Sequence, residues 1–222
     1  MTGKEIILGR IREALAVDAH VVSSEQGKSV REFLPKVGEN FEDRLALFKT
    51  NSEALTTRFF DCASAEEAEK VFLKISEAEG WRNVALHSSP VLESFAKVLN
   101  AGQRVGFFLT DKPYDKMILE KCDAALTTCE CLVAQTGSAV VSSAATGGRA
   151  LTILPPHHVI VARREQLLPD LLEAYNFLKG KYGETFPSMV SFVTGPSRTG
   201  DIERILVLGV HGPQKVTVIL IP

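Results

Sequence analysis

The sequence lacks the motifs that announce a chemistry by themselves. It contains no G-x-G-x-x-G, no Walker loop and no G-x-S-x-G, which leaves dinucleotide, nucleoside-triphosphate and α/β-hydrolase sites without a signature. Charge of either sign is not in excess. Lys and Arg number 25 against 27 Asp and Glu, a net −2, so no global field draws the chain to nucleic acid or to an anionic membrane. No stretch approaches the roughly 18 consecutive apolar residues of a membrane span. The opening Met-Thr-Gly-Lys-Glu leads into an amphipathic stretch and not into an apolar signal core, and a cytoplasmic protein is the expectation. Cysteine is scarce and unsuitably spaced. Cys122, Cys129 and Cys131 form C-x6-C-x-C, and Cys62 stands apart; zinc and iron–sulfur sites favour C-x2-C pairs. Cys129 and Cys131 are placed on one face of a strand, and all four read more simply as packed thiols in a reducing compartment than as a metal or redox site. No metal and no cofactor are expected.

What the chain does have is 222 residues with 45% apolar content, enough for one large domain with a proper core. Thr2 to Ala16 reads as a helix opened by a Thr2/Glu5 capping box. Residues 18–36 carry no clear period and read as a linker or surface arm, of the kind that sometimes docks on a second subunit; a homo-oligomer stays open. Residues 1–40 are thus an N-terminal helix and arm, and 41–222 the main domain. Asn40 caps a helix with Phe41, Leu45 and Phe48 on one face, ending at Asn51 or Ser52. A strand over 56–60, a helix from Ser64 to Gly80, a strand over 83–87, a helix from Pro90 and a strand over 104–109 follow. Their short connections and unalternating apolar strands predict parallel pairing with helices on both faces. A further helix over 114–121 and a strand over 124–127 come next. Beyond Glu130 the pattern predicts strands at 131–134, 138–142, 150–154 and 159–162 with no room for helices between them, so that antiparallel neighbours become available. A helix from Asp170 to Leu178, stopped by Gly180 and Gly183, precedes three runs, 189–193, 205–210 and 216–219, that complete the sheet. The fold class is α/β, a mixed, largely parallel sheet flanked by helices, with an N-terminal helical extension.

Four polar stretches interrupt the apolar runs. The largest spans Thr194 to Glu203, where Gly195, Ser197, Arg198, Thr199, Gly200, Asp201 and Glu203 lie between two core strands. Glycine admits close backbone approach, and free N–H groups beside an arginine suit an anion. The same composition also serves a plain strand connection. The Thr136-Gly137-Ser138 corner offers two hydroxyls and main-chain donors to a carboxylate or phosphate, or is a turn that uses glycine for a positive φ. His157 and His158 adjoin, so in extended chain they face opposite ways and do not share a metal; His157 is a candidate base. Asp201 and Glu203 are a candidate carboxylate pair, or partners of nearby arginines. Gly209, His211 and Gly212 at a strand end complete the set.

Taken in order, four segments resemble the LUD-domain family, most closely its lactate utilization protein C group. They are Gln135-Thr-Gly-Ser138, Leu151-Thr-Ile-Leu-Pro-Pro-His-His158, Thr194-Gly-Pro-Ser-Arg-Thr-Gly-Asp-Ile-Glu203 and Leu208-Gly-Val-His-Gly-Pro213. Many members of that family carry an acidic residue where Gln135 stands. The resemblance implies a fold of the ribose-5-phosphate isomerase, CoA-transferase and formyltetrahydrofolate cyclo-ligase type. It also implies a part in bacterial oxidation of L-lactate to pyruvate, beside partner proteins that carry iron–sulfur clusters. On this reading the chain is a non-redox subunit that binds a small carboxylate, a phosphate or a partner at residues 195–203. The alternative is an independent enzyme acting on a phosphorylated, CoA-linked or folate-type carboxylate.

Overall fold

A computed structural model describes residues 2–17, 36–101, 105–110, 115–200, 206–209 and 211–222. The predicted arm at 18–36 and the carboxylate pair Asp201 and Glu203 lie outside the described residues, Lys36 excepted. The chain divides into two units, Met1–Lys36 and Val37–Pro222. In the first, helix α1 (Gly3–Leu15) starts at the predicted capping box, with Thr2 accepting from the Glu5 amide and Glu5 accepting from the Thr2 amide.

The second unit is built on a six-stranded, wholly parallel sheet. Its strands are β1 (Arg58–Asp61), β2 (Asn83–Leu86), β3 (Gly106–Leu109), β4 (Ala124–Thr127), β7 (His157–Arg163) and β12 (Lys215–Ile221), in the spatial order β1-β12-β7-β4-β2-β3. Helices α3 (Ala65–Glu79) and α4 (Pro90–Ala101) cover one face. Phe72 of α3 meets Phe95 of α4 edge-on at 5.5 Å and Trp81 at 5.7 Å, above Val84, Leu126, Val159 and Ile219. Successive residues of β7 face opposite ways. Val159 and Val161 join that layer, whereas Ile160 and Ala162 join the core on the other side.

On that other side lie helix α2 (Phe41–Ala54) and a second, four-stranded sheet. The latter comprises β5 (Cys131–Val133), β6 (Ser138–Ser142), β8 (Leu167–Leu168) and β9 (Val190–Val193) in the order β8-β5-β6-β9, mostly antiparallel. Its outer face, through Val133 and Val140, packs on Ala174 and Leu178 of α5 (Leu171–Tyr182). A separate hairpin joins β10 (Arg198–Gly200) to β11 (Leu206–Leu208).

Several predictions need correction. Residues 150–154 turn and do not form a strand; Leu151 is instead a buried plug beside Ala85 and Ala125. The run at 159–162 belongs to the parallel sheet, and 206–208 pairs with β10 outside both larger sheets. Gly180 lies inside α5, and only Gly183 ends it. The helix over 114–121 is a 3-10 turn, Lys116–Lys121, among the residues described. Cys129 and Cys131 do not share a layer: Cys129 packs between the sheets and Cys131 under α5, because β5 starts only at Cys131.

Candidate functional site

The two glycine corners meet. Ser138 Oγ lies 2.7 Å from Thr136 Oγ1 and 2.8 Å from Thr194 Oγ1, across the β6–β9 pair. Both corners press on the carboxyl end of α2. Gly137, at φ 64°, leaves so little room that a Cβ would lie 2.5 Å from the Ser52 amide nitrogen. Gly195, at φ 96°, abuts the Leu55 carbonyl. The Arg198 guanidinium donates to Leu55 O at 3.1 Å and to Thr56 Oγ1 at 3.2 Å, which places a cation on the carbonyl end of the helix. Asn51 adds bonds to the Ala134 and Gln135 carbonyls. A second knot joins Ser197 to the following turn: its amide donates to Pro213 O, its carbonyl accepts from Gly209, and Gly212 lies against its side chain. Thr199 pairs with Val207, and His211 is exposed. The predicted segments therefore converge, and their described polar groups bond largely to one another and to α2.

His157 and His158 do face opposite ways. Nε2 of His157 is 2.9 Å from Thr217 Oγ1, and its ring stands edge-on to Trp81 at 5.1 Å. Nε2 of His158 is 2.8 Å from Thr127 Oγ1. Neither Nδ1 finds a hydrogen bond among the described residues. Burial, with the positive charge of Arg58 adding to it, pushes the His157 pKa down to about 4; burial pushes His158 down to about 3. Both rings are neutral near pH 7.

Apart from Thr127, which closes β4, these groups sit toward the amino ends of the parallel strands, as Leu55 and Thr56 lead into β1, Pro213 into β12 and Pro156 into β7. In open α/β sheets, ligands occupy the opposite edge, where neighbouring strands send their connections in opposite directions. Here that place is the carboxyl end of β2 and β4. They are adjacent, but β2 connects outward to β3 and β4 connects back toward β7.

A cleft of about 400 Å³ opens there. His87, Thr110 and Thr128 line it from the ends of β2, β3 and β4; Ser88, Ser89 and Pro90 bring in the first turn of α4; Ser143, Gly147 and Gly148 close it. The Thr128 amide donates to His87 Nε2 at 3.3 Å, so that nitrogen bears the lone pair and Nδ1 carries the proton, 3.2 Å from Ser88 O. Gly147, at φ 74°, lies so close to His87 Cβ and Thr110 Oγ1 that no side chain fits. Gly148, at φ 96°, faces open space.

Glu130 supports this loop from behind. Its side chain is wholly buried. It accepts from Ser142 Oγ at 2.5 Å, from Lys181 Nζ at 2.6 Å and from the Tyr182 hydroxyl. Ser142 Oγ in turn accepts from the Ala145 amide, and the Ala145 carbonyl accepts from Thr128 Oγ1. Burial pushes the Glu130 carboxyl up, and the bonds from Lys181, Ser142 and Tyr182 outweigh it, leaving the pKa lowered. Sequence reasoning passed over the cleft residues. The visible signals were a His-Ser-Ser-Pro at a strand-to-helix junction and a Gly-Gly pair, and both gain meaning only from strand order.

The fold agrees with what the chain resembles. A family model described as the LUD domain matches residues 45–221. The chain belongs to the LUD-domain family. Lactate utilization protein C of Anoxybacillus flavithermus is 27% identical to this LUD protein over 98% of each chain. Its namesake in Bacillus licheniformis is 34% identical over 46% of this chain and 43% of its own length. At identities above 30%, this LUD chain spans about half the length of the curated relatives it matches. Among solved structures, a DUF162 family protein from Deinococcus radiodurans superposes with a TM-score of 0.63 at 21% identity, covering 83% of this chain and all of that one. That likeness shows the shared α/β fold.

Proposed function

We propose that this LUD protein is a non-redox component of an L-lactate utilization system, working beside iron–sulfur partner proteins in the oxidation of L-lactate to pyruvate. The observation that carries the reading is the end-to-end similarity to a lactate utilization protein C. The cysteines support the non-redox part. All four are buried and free, and burial raises each thiol pKa, so they serve packing and not electron transfer. The ligand-handling face on this reading is the carboxyl edge of the parallel sheet. The corner at residues 136–138 and 194–198 then has the role of locking β6 and β9 onto α2.

Deleting the gene and restoring it tests the role. Growth on L-lactate as sole carbon source is lost on deletion and returns with the intact gene, while growth on pyruvate is unaffected. Unchanged growth on L-lactate refutes the reading. Affinity purification of the chain from lactate-grown cells brings down cysteine-rich partners. One observation favours the alternative, an independent enzyme on a phosphorylated, CoA-linked or folate-type carboxylate: the cleft, at about 400 Å³, has room for a ligand larger than lactate. Thermal shift against acyl-CoAs, sugar phosphates and folates separates the two.

A further inference from the structure

The geometry points to a binding site at the amino edge of the parallel sheet for a small zwitterion, an α-amino acid of about the size of glycine or alanine. The pocket lies at the starts of β4, β7 and β12, on the edge opposite the cleft, and the lactate reading has no part in it.

A buried donor without an acceptor faces this pocket. His157 is 2% exposed, and its ring is neutral near pH 7. The one hydrogen-bond partner of the Thr217 hydroxyl among the described residues is His157 Nε2, at 2.9 Å. A hydroxyl has a proton to place, so Thr217 donates, Nε2 accepts, and the ring proton sits on Nδ1. The reverse tautomer strands two buried polar groups, the Thr217 proton and the Nδ1 lone pair, in place of one. The two ring nitrogens point in nearly opposite directions. Nε2 turns inward to Thr217, two residues beyond Lys215, the register partner of His157. Nδ1–H therefore turns back to the amino edge, where it has no hydrogen bond among the described residues. There a pocket of about 200 Å³ is lined by His157, Trp81, Glu79, Asp123 and Lys215. A buried donor of this kind is satisfied by an acceptor on a ligand.

Charges of both signs flank that donor. Lys215 gives one bond, to Glu79 at 2.5 Å, and its ammonium has two further donors. Glu79 is engaged on both oxygens, by Arg58 and by Lys215, and so does not neutralise a ligand cation. A ligand carboxylate accepts from Lys215 and from Nδ1–H together. Asp123 supplies the opposite pole. Its Oδ2 accepts from the Arg82 and Asn83 amides at 2.7 and 2.8 Å, which fixes the carboxylate. Oδ1 has no bond among the described residues and is left to receive a ligand ammonium. At about 200 Å³ the pocket falls below the roughly 300–1,000 Å³ of sites for drug-sized ligands, and suits an amino acid with a short side chain or none.

Trp81 is the sole tryptophan of the chain, and its ring meets His157 at 5.1 Å, so its fluorescence reports the pocket. The full chain is titrated with glycine, L-alanine, sodium acetate and methylammonium chloride at matched ionic strength. Glycine or L-alanine shifts the Trp81 emission saturably. Acetate and methylammonium, each carrying one charge of the pair, bind at least about tenfold more weakly. Asp123→Asn keeps an oxygen for the two amides and melts near the parent temperature, yet weakens glycine binding about tenfold or more. Lys215→Gln, a change at a half-exposed side chain, does the same from the carboxylate end. ¹⁵N NMR of the unliganded protein finds the His157 ring proton on Nδ1. The proposal is overturned if neither amino acid saturates, as for a pocket that takes up water alone, or if acetate or methylammonium binds as tightly. It is equally overturned if either variant binds glycine like the parent, or if the ring proton is on Nε2.

Discussion

The carboxylate of Glu130 and the hydroxyl of Ser142 are 2.5 Å apart in the closed interior between the second sheet and α5. Ser142 passes that contact on to the Ala145 amide at the rim of the cleft. A buried charge of this kind is tolerated only while its partners are present. Glu130→Ala leaves the Ser142 and Tyr182 hydroxyls without their acceptor and frees the rim, and is expected to cost about 1–3 kcal/mol in urea unfolding, since the half-exposed Lys181 turns to water. Glu130→Gln costs less, because an amide oxygen still accepts from Ser142. Since the folded-state carboxyl pKa is lowered from 4.5, the advantage of Glu130 over Gln is full at neutral pH. It shrinks as pH falls below 4.5 and through the depressed folded value. Parallel denaturation curves for the two proteins from pH 7 to 3 check the sign.

The two neutral histidines make their own acid limit. Above pH 6.5 they are uncharged in both folded and unfolded chains and contribute no pH dependence. Below it the unfolded chain takes up protons that the folded one refuses until about pH 4 at His157 and about pH 3 at His158. Stability therefore falls across that window as the solution is acidified. His157→Phe keeps an aromatic edge against Trp81 and removes one titrating group. Its melting temperature is lower at pH 7 for want of the Thr217 bond, and declines less steeply between pH 6.5 and 4.

Glycine is demanded at the α2 junction. Gly137→Ala forces a Cβ onto the Ser52 backbone, and Gly195→Ala forces one to 2.7 Å from the Leu55 carbonyl oxygen; each also holds a left-handed φ. Strain of about 1–3 kcal/mol is expected at each from φ alone, with the clash added. Arg198→Ala removes two hydrogen bonds from the helix end and costs about 1 kcal/mol. Chemical denaturation ranks the three. An Arg198→Ala protein that melts near the parent temperature yet fails to support growth on L-lactate puts a ligand at the loop after all.

Thiol chemistry reports the packing. Burial, with the charges of Glu67 and Asp61 adding to it, raises Cys62 to about 11; burial and Glu130 raise Cys131 to about 12, and Cys129 is raised well above 9.0. A disulfide exchange reagent at pH 8 is expected to leave the native cysteines almost untouched. All four react once urea unfolds the chain.

Local patterns in the sequence were enough for the helix caps. Thr2/Glu5, Asn40 and Asp170 cap α1, α2 and α5 as their spacing predicts. At Ser64 the side chain caps the Glu67 amide as expected, although Glu67 itself turns back to Ala63. Strand membership was harder. The apolar run 150–154 is hydrophobic because Leu151 fills a pocket under β2 and β4, and burial alone does not distinguish a plug from a strand. The contacts of the polar loop were hidden in the same way. Gly195 and Arg198 look made for an anion in one dimension, and their partner, the Leu55 carbonyl, is far away in sequence. His87, Thr128 and Gly147 look ordinary until β2 and β4 are known to be neighbours. Glu130 gave no signal at all, since a lone acid between two cysteines shows nothing of the lysine and tyrosine on α5 that hold it.

The place of β12 between β1 and β7 has a consequence for biosynthesis. A ribosome makes β1 early, yet the strand it zips against emerges only after both sheets have otherwise been spelled out. Until then β7 presents an open apolar border to other nascent chains. The large sheet thus closes only once β12 has been made, and yield in a foreign host should respond to added chaperone.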